Sequence, residues 1–186
     1  MSSNHQSAVS NLRLLFGISH HYLEGTLMGL VDEQMNWFPN GRPASIIGQY
    51  AHIVTGEDWL INVKAKGAAP LMATSHAGRT GFVEPPPIIG WDGWARETSV
   101  DLPALREYAQ AVYQATDAYL ASLSDEELSH PVDMSEVGLG EQTVASVIGL
   151  ALLNGALHCG EIACLKGLQG LVGYPEAKPQ AEAAPA

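Results

Sequence analysis

Three polar residues in one apolar segment of the chain have the spacing of a metal or catalytic site. Asn154 and His158 are four residues apart, and Glu161 follows three residues later, within an apolar stretch that runs from Val144 to Leu165. Residues three and four apart lie on the same face of a helix, so these side chains are predicted to form one stripe. Imidazole, amide and carboxylate groups in this arrangement could bind a divalent metal or move protons.

A fourth polar residue, His52, belongs to a separate apolar segment. Gly48 and Gly56 stand one helical turn before and after it, and their lack of side chains predicts open space beside the imidazole. Metal sites in helical bundles are built from side chains on facing helices. We therefore expect His52 to meet the stripe of Asn154, His158 and Glu161 across the core.

Four segments of the chain have apolar residues at helical spacing, and they must position these side chains. Ser45 and Asp101 are predicted to cap the second and third of them. With no alternating strand pattern, the sequence predicts an all-α four-helix bundle. The predicted helices are Val9–Leu30, Ile46–Lys66, Leu102–Leu123 and Thr143–Gln169.

The segment between the second and third predicted helices is rich in Gly and Pro, which predicts a long irregular loop from residue 67 to residue 100. Its aromatic residues Phe82, Trp91 and Trp94 are expected to pack on the bundle. We predict one bundle domain over residues 1–173. Residues 174–186 are rich in Ala, Pro and Glu, a composition that predicts a disordered tail.

The charge and composition exclude some classes of partner. The net charge of −11 would repel nucleic acid and anionic membrane surfaces. The segment from Val144 to Leu165 is long enough to span a membrane, but its polar stripe and glycines favour a core helix of a bundle. The N-terminal residues lack the pattern of a secretory signal, which predicts a cytoplasmic protein.

Three stretches of the sequence resemble the DinB-like family. They are SIIGQYAHIVTGEDWL in the second helix, NGALHCGEI in the fourth helix, and the linker LVDEQMNWFPNGRPASI. The resemblance covers most of the chain from about Leu12 to Gly170. The family includes bacillithiol S-transferases and mycothiol-dependent maleylpyruvate isomerases, so the resemblance implies a four-helix bundle that acts on a small molecule, with a low-molecular-weight thiol as a candidate cofactor.

The resemblance also implies a metal site. The family holds a divalent metal, commonly zinc or nickel, by one histidine from the second helix and two residues one turn apart on the fourth, usually histidines. By position these ligands are His52, Asn154 and His158. Asn154 departs from the pattern, because an amide oxygen is a neutral and weaker ligand than an imidazole or a carboxylate. Either Glu161 or a water completes the site, or the residues form a neutral hydrogen-bonded cluster without metal.

Three functions remain open from the sequence. The leading hypothesis is a metal-dependent enzyme for thiol transfer or hydrolysis, with Glu161 as a ligand or catalytic base. The second is a non-catalytic small-molecule-binding protein, and the third is a homodimeric interaction module. Among the other polar residues, Glu57 and Asp58 are expected to be solvated or to cap the neighbouring loop, and Cys159 and Cys164 to be reduced, buried packing residues.

Overall fold

The computed structural model describes residues 7–175, and four long helices form its bundle. The second of these starts as an α-helix and continues as a π-helix over Asp58–Ala65. Their bounds lie close to the predicted ones, which confirms the all-α fold. The helices are α1 Ala8–Leu27, the short α2 Asp32–Met35, α3 Ile46–Glu57, the short α4 Trp91–Glu97, α5 Leu102–Ser122 and α6 Val144–Leu168.

The long helices begin where a side chain can accept a hydrogen bond from a free backbone N–H group. The predicted caps are confirmed: Ser45 accepts from the N–H of Gly48 and Asp101 accepts from the N–H of Ala104. Thr143 caps α6 in the same way. Such a cap stabilises a helix by about 1 kcal/mol, so local sequence accounts for the starts of the helices that carry His52 and His158.

Two apolar clusters fill the bundle. One surrounds Tyr50, Leu105 and Ile162, and the other surrounds Ile61 and Ile148, and all five side chains are fully buried. Each side chain of this kind stabilises the fold by about 1.5–3 kcal/mol through removal of apolar surface from water. These clusters hold α3 and α6 side by side and so determine which polar side chains can meet.

The predicted long loop is partly ordered into helices. Residues 67–100 contain a 3₁₀ turn at Leu71–Ala73 and the helix α4, which the Gly- and Pro-rich composition did not predict. The prediction that its aromatic residues pack on the bundle is confirmed. Phe82 is buried, Trp94 packs against the core and Trp91 lies on His52.

A small antiparallel hairpin precedes α6 and was also not predicted. Strand β1, Pro131–Asp133, pairs with β2, Glu141–Thr143, with Val132 opposite Gln142. Both strands have three residues, too few for a visible alternation of polar and apolar side chains. The connection between them places Met134, Val137 and Leu139 near α3 and α6.

The helix α6 is apolar on its outer side as well as its inner side. It is long and apolar enough to cross a membrane, with 39% of its most apolar window buried, and its inner face packs along α1 and α3. Large apolar side chains are exposed on α1, among them Leu14, Ile18 and Tyr22. Two expectations therefore remain predictions: that the protein has no membrane partner, and that it forms a homodimer. The predicted disordered tail lies outside the described residues, apart from Tyr174 and Pro175.

Candidate functional site

The predicted encounter between His52 and the stripe on α6 is present. The imidazole of His52 meets the imidazole of His158 edge to face, with ring centroids 4.8 Å apart and an angle of 89° between the planes. Trp91, from α4, stacks on His52 with a centroid distance of 4.2 Å. Trp91 also meets His158 edge to face at 5.3 Å. The three rings therefore form one cluster contributed by α3, α4 and α6.

Two glycines on α3 allow this cluster to form. A Cβ atom at Gly48 would lie 2.6 Å from Cβ of Ala95, so α4 can approach α3 only because Gly48 has no side chain. A Cβ atom at Gly56 would lie 3.0 Å from Nδ2 of Asn154. The sequence predicted open space at both positions, but the structure fills it with Ala95 of α4 and the amide of Asn154.

Glu161 contacts His158 and lies on the outer side of the cluster. Its Oε2 is 2.6 Å from Nδ1 of His158. The side chain of Glu161 is 55% exposed, and that of His158 is 17% exposed. An ionised carboxylate only accepts hydrogen bonds, so Nδ1 of His158 carries the hydrogen and donates the hydrogen bond to Glu161. When His158 is neutral, its Nε2 atom is then left unprotonated and can bind a metal.

The environment of His52 keeps its imidazole neutral. Burial, reinforced by the proximity of His158, lowers the pKa of His52 from its ordinary value to about 4. A polar contact with Asn154 and the charge of Glu161 oppose this change. A neutral imidazole has a free lone pair, so His52 is ready at neutral pH to accept a hydrogen bond or to bind a metal.

The donors at this site fit a weak divalent-metal site rather than a tight one. Within residues 7–175, no group of three or more His, Cys, Asp or Glu side chains lies close enough to hold a metal ion. The structure brings together the imidazoles of His52 and His158 and the amide of Asn154. Two imidazoles and an amide can hold zinc or nickel, but they lack the anionic or third imidazole ligand of most tight sites.

A cavity of about 490 Å³ opens beside the cluster. His52 and Asn154 line it, together with the rings of Trp59 and Trp91. The other lining residues come from the second long helix, α6, the hairpin connection and the long loop, including the proline run at residues 85–87. Its size lies within the range of roughly 300–1,000 Å³ that small-molecule pockets usually have.

A second polar group inside the bundle was missed from the sequence. Glu57 is 4% exposed and Asp58 is fully buried, so the expectation that they are solvated is wrong. Glu57 accepts from the hydroxyl of Thr116 at 2.6 Å and lies 2.9 Å from Nε2 of His20. The ring of His20 stacks on Tyr113 at 3.7 Å. Spacing alone could not reveal this burial, because the partners come from α1 and α5.

Asp58 binds the neighbouring loop, which confirms the other half of that expectation. Its carboxylate accepts from the N–H groups of Leu71 and Met72 at 3.0 and 3.1 Å, and from the hydroxyl of Tyr108 at 2.6 Å. The amide of Asn62 donates to it at 2.8 Å. Four donors satisfy this buried carboxylate, which ties the start of the long loop to the bundle.

The cysteines differ in burial. Both are free thiols, Cys159 is buried and Cys164 is exposed, so the prediction that both are buried is wrong for Cys164. Burial raises the pKa of the Cys159 thiol. The two residues are five apart on α6 and face different sides, as the helical spacing predicted.

Comparison with known proteins assigns the chain to a family. The family model of the DinB superfamily matches residues 16–162, so the chain belongs to the DinB superfamily. Its fold resembles that of a conserved protein from Enterococcus faecalis, with a TM-score of 0.74 and 19% sequence identity over 88% of this chain and 97% of the other. This likeness shows a shared fold. No match was found among curated proteins.

Proposed function

We propose that this protein binds a small molecule in the cavity beside His52 and holds a divalent metal ion at His52, Asn154 and His158. The observation that carries the proposal is the edge-to-face approach of the two imidazoles at 4.8 Å, from two different helices. Both rings are partly buried, and the pKa of His52 is lowered to about 4. At neutral pH His52 is therefore an available ligand that needs no deprotonation.

Each residue of the site has a distinct role in this proposal. His52 and His158 supply nitrogen ligands, and Asn154 supplies a weak oxygen ligand or orients the bound molecule. Glu161 accepts the hydrogen bond from Nδ1 of His158 and so fixes the orientation of its ring. Glu161 is exposed to solvent and can exchange protons with it, so it is also the candidate catalytic base at the site. A bound divalent ion would supply a Lewis acid that favours the anionic form of a thiol or of water.

Trp91 excludes water from one side of the site. Its ring covers the face of His52 at 4.2 Å and stands perpendicular to the ring of His158 at 5.3 Å. The ligand and the reacting groups would then meet in surroundings of low polarity, where electrostatic interactions are stronger than in water. This arrangement supports a reaction on a molecule bound in the cavity.

Asn154 favours a second candidate, a non-catalytic binding protein of the same fold. Its neutral amide replaces the third imidazole that the family pattern places there, and this weakens any metal site. In that case His52, Asn154 and His158 recognise a polar group of a ligand by hydrogen bonds. A cavity with aromatic walls is compatible with both the metal-dependent enzyme and the non-catalytic binding protein.

Metal content separates the two candidates. The full chain, purified without an affinity tag, is to be analysed for zinc and nickel beside His52→Ala and His158→Ala variants. About one equivalent of metal that both substitutions remove would support the metal site. Protein that folds normally and retains no added zinc or nickel would support the binding protein instead. His130→Ala is the matched control, because His130 is exposed and outside this site.

A further inference from the structure

The cavity beside His52 has no ionised lining. Of the 18 residues that line it within the described part of the chain, none is Asp, Glu, Lys or Arg. This is unusual for a chain with 29 such residues among 186. The lining consists chiefly of Leu, Ile, Val, Met, Pro and Trp side chains. In metal-free protein, a charged ligand would thus find no counter-ion among the side chains that line the cavity.

Few of the side chains that line the cavity can form hydrogen bonds. They are His52, Thr55, Asn154 and the indole N–H groups of the two tryptophans. The hydroxyl of Thr55 already donates to the carbonyl of Ala51 at 2.8 Å. His52 and Asn154 are adjacent on facing helices and are the polar pair that a ligand can reach together. The remaining walls can contribute only apolar contact.

The mouth of the cavity is also apolar. Ile88, Leu139, Leu153 and Leu157 line it and are 53%, 46%, 53% and 60% exposed. They come from the long loop, the hairpin connection and α6, so three separate elements place apolar side chains around one opening. Contiguous exposed apolar surface at a concave site is typical of ligand binding.

We propose that the cavity takes an uncharged, largely apolar molecule of two or three rings or equivalent size, with one hydrogen-bonding group that reaches His52 and Asn154. The inference rests on the cavity of the proposed function and not on its metal. In metal-free protein, an anionic group inside the cavity would lose its hydration without gaining an oppositely charged partner. A low-molecular-weight thiol can enter only with its charged groups outside the mouth.

A matched pair of fluorescent probes tests the charge selectivity. N-phenyl-1-naphthylamine is uncharged and has one N–H group, and 1-anilinonaphthalene-8-sulfonate has the same rings with an added sulfonate. We expect the uncharged probe to bind the full-length protein, freed of metal by a chelator, roughly tenfold or more tightly than the sulfonate. Binding is measured by probe fluorescence at high salt, which screens the net charge of −11. Equal or tighter binding of the sulfonate overturns the inference, and so does failure of the uncharged probe to bind.

Two arginine substitutions show whether the probe sits in this cavity. Leu139→Arg adds a cation at the mouth, and Leu168→Arg adds the same charge on α6 at a residue that is 63% exposed and does not line the cavity. The ratio of the affinity for the uncharged probe to the affinity for the sulfonate should be about fivefold or more lower in Leu139→Arg than in Leu168→Arg. The same preference in both variants overturns the assignment to this cavity, provided that their melting curves match.

Metal content is measured on the same samples. The metal site and the uncharged ligand class can then be contradicted independently of each other. Selective binding of the uncharged probe by protein that retains no zinc or nickel supports the ligand class and removes the metal site. Metal that the purified protein retains, with no selectivity for the uncharged probe after the metal is removed, supports the metal site and overturns the ligand class.

Discussion

The imidazole of His158 stands perpendicular to that of His52, with ring centroids 4.8 Å apart, and Glu161 contacts Nδ1 of the same His158 ring at 2.6 Å. The carboxylate fixes which nitrogen of His158 carries the proton, and the neighbouring ring of His52 remains neutral because burial lowers its pKa to about 4. His52 therefore offers a neutral nitrogen donor beside the ring of His158, whose Nδ1 atom is engaged by Glu161. This relationship connects the following predictions on metal binding and pH.

Replacement of Asn154 by histidine should strengthen metal binding. The imidazole of Asn154→His would stand one turn before His158 and replace a neutral amide oxygen by a nitrogen ligand that zinc and nickel prefer. We expect the affinity for nickel to rise by about tenfold or more, measured by isothermal titration calorimetry. Asn154→Gln keeps an amide and is the control. Unchanged affinity in Asn154→His would contradict the assignment of this position as a ligand.

Loss of the Glu161 carboxylate should weaken metal binding without abolishing it. Glu161→Gln keeps the size of the side chain but removes the charge that orients His158, and removal of such partners lowers metal affinity by roughly 10–100-fold. Glu141→Gln, at an exposed residue of the hairpin, is the control for net charge. Complete loss of metal in Glu161→Gln, as in His158→Ala, would indicate that Glu161 is itself a ligand.

A methyl group at Gly48 should displace α4 from the site. Gly48→Ala would place Cβ 2.6 Å from Cβ of Ala95, so α4 must move and Trp91 must leave the face of His52. We expect a lower melting temperature and several-fold weaker probe binding. Gly93→Ala is the matched control, since a Cβ atom there meets nothing within 4 Å and alanine favours the helix. Equal stability of both variants would show that α4 adapts to the methyl group.

The folded protein should gain stability as the pH rises from about 4 to 6.5, in part because of His52. The pKa of His52 is about 4 when folded and near 6.5 when unfolded, so the unfolded chain binds the extra proton in this window. For metal-free protein, the His52 contribution is roughly 3 kcal/mol above pH 6.5 and is lost as the pH falls to 4. Urea unfolding of the His52→Gln variant should show a smaller slope with pH in this range. An unchanged slope would contradict a depressed pKa for His52.

Removal of the buried charge of Asp58 should destabilise the bundle. Asp58→Asn would place an amide NH₂ group against donors that now point at the carboxylate, including the N–H groups of Leu71 and Met72. We expect the free energy of unfolding to fall by about 2–4 kcal/mol in urea titration. Asp117→Asn, at an exposed residue paired with Arg13, should change it little. A change as small as that of the control would show that the Asp58 network contributes no net stability.

Local signals account for what could be predicted of the fold. Ser45 and Asp101 precede runs of helical periodicity, and each accepts the N–H hydrogen bond that its position predicted. The spacing of Asn154, His158 and Glu161 placed them on one helix. The glycines beside His52 and the construction of metal sites from facing helices paired them with His52, and the family resemblance implied the same pairing for Asn154 and His158. The helix α4 and the hairpin were not predictable in the same way, because both are short and their stability comes from packing on the bundle rather than from their own sequence.

Caps and helical periodicity act over a few residues, so the four helices, their approximate bounds and the residues that could meet at a site follow from local sequence. The packing of the chain is what covers His52 with Trp91 and buries Glu57 and Asp58. It also leaves the cavity beside the two histidines without an ionised lining side chain among the described residues. These features depend on residues far apart in the chain. Their contacts follow from the packing of whole helices and loops, which sequence spacing does not specify.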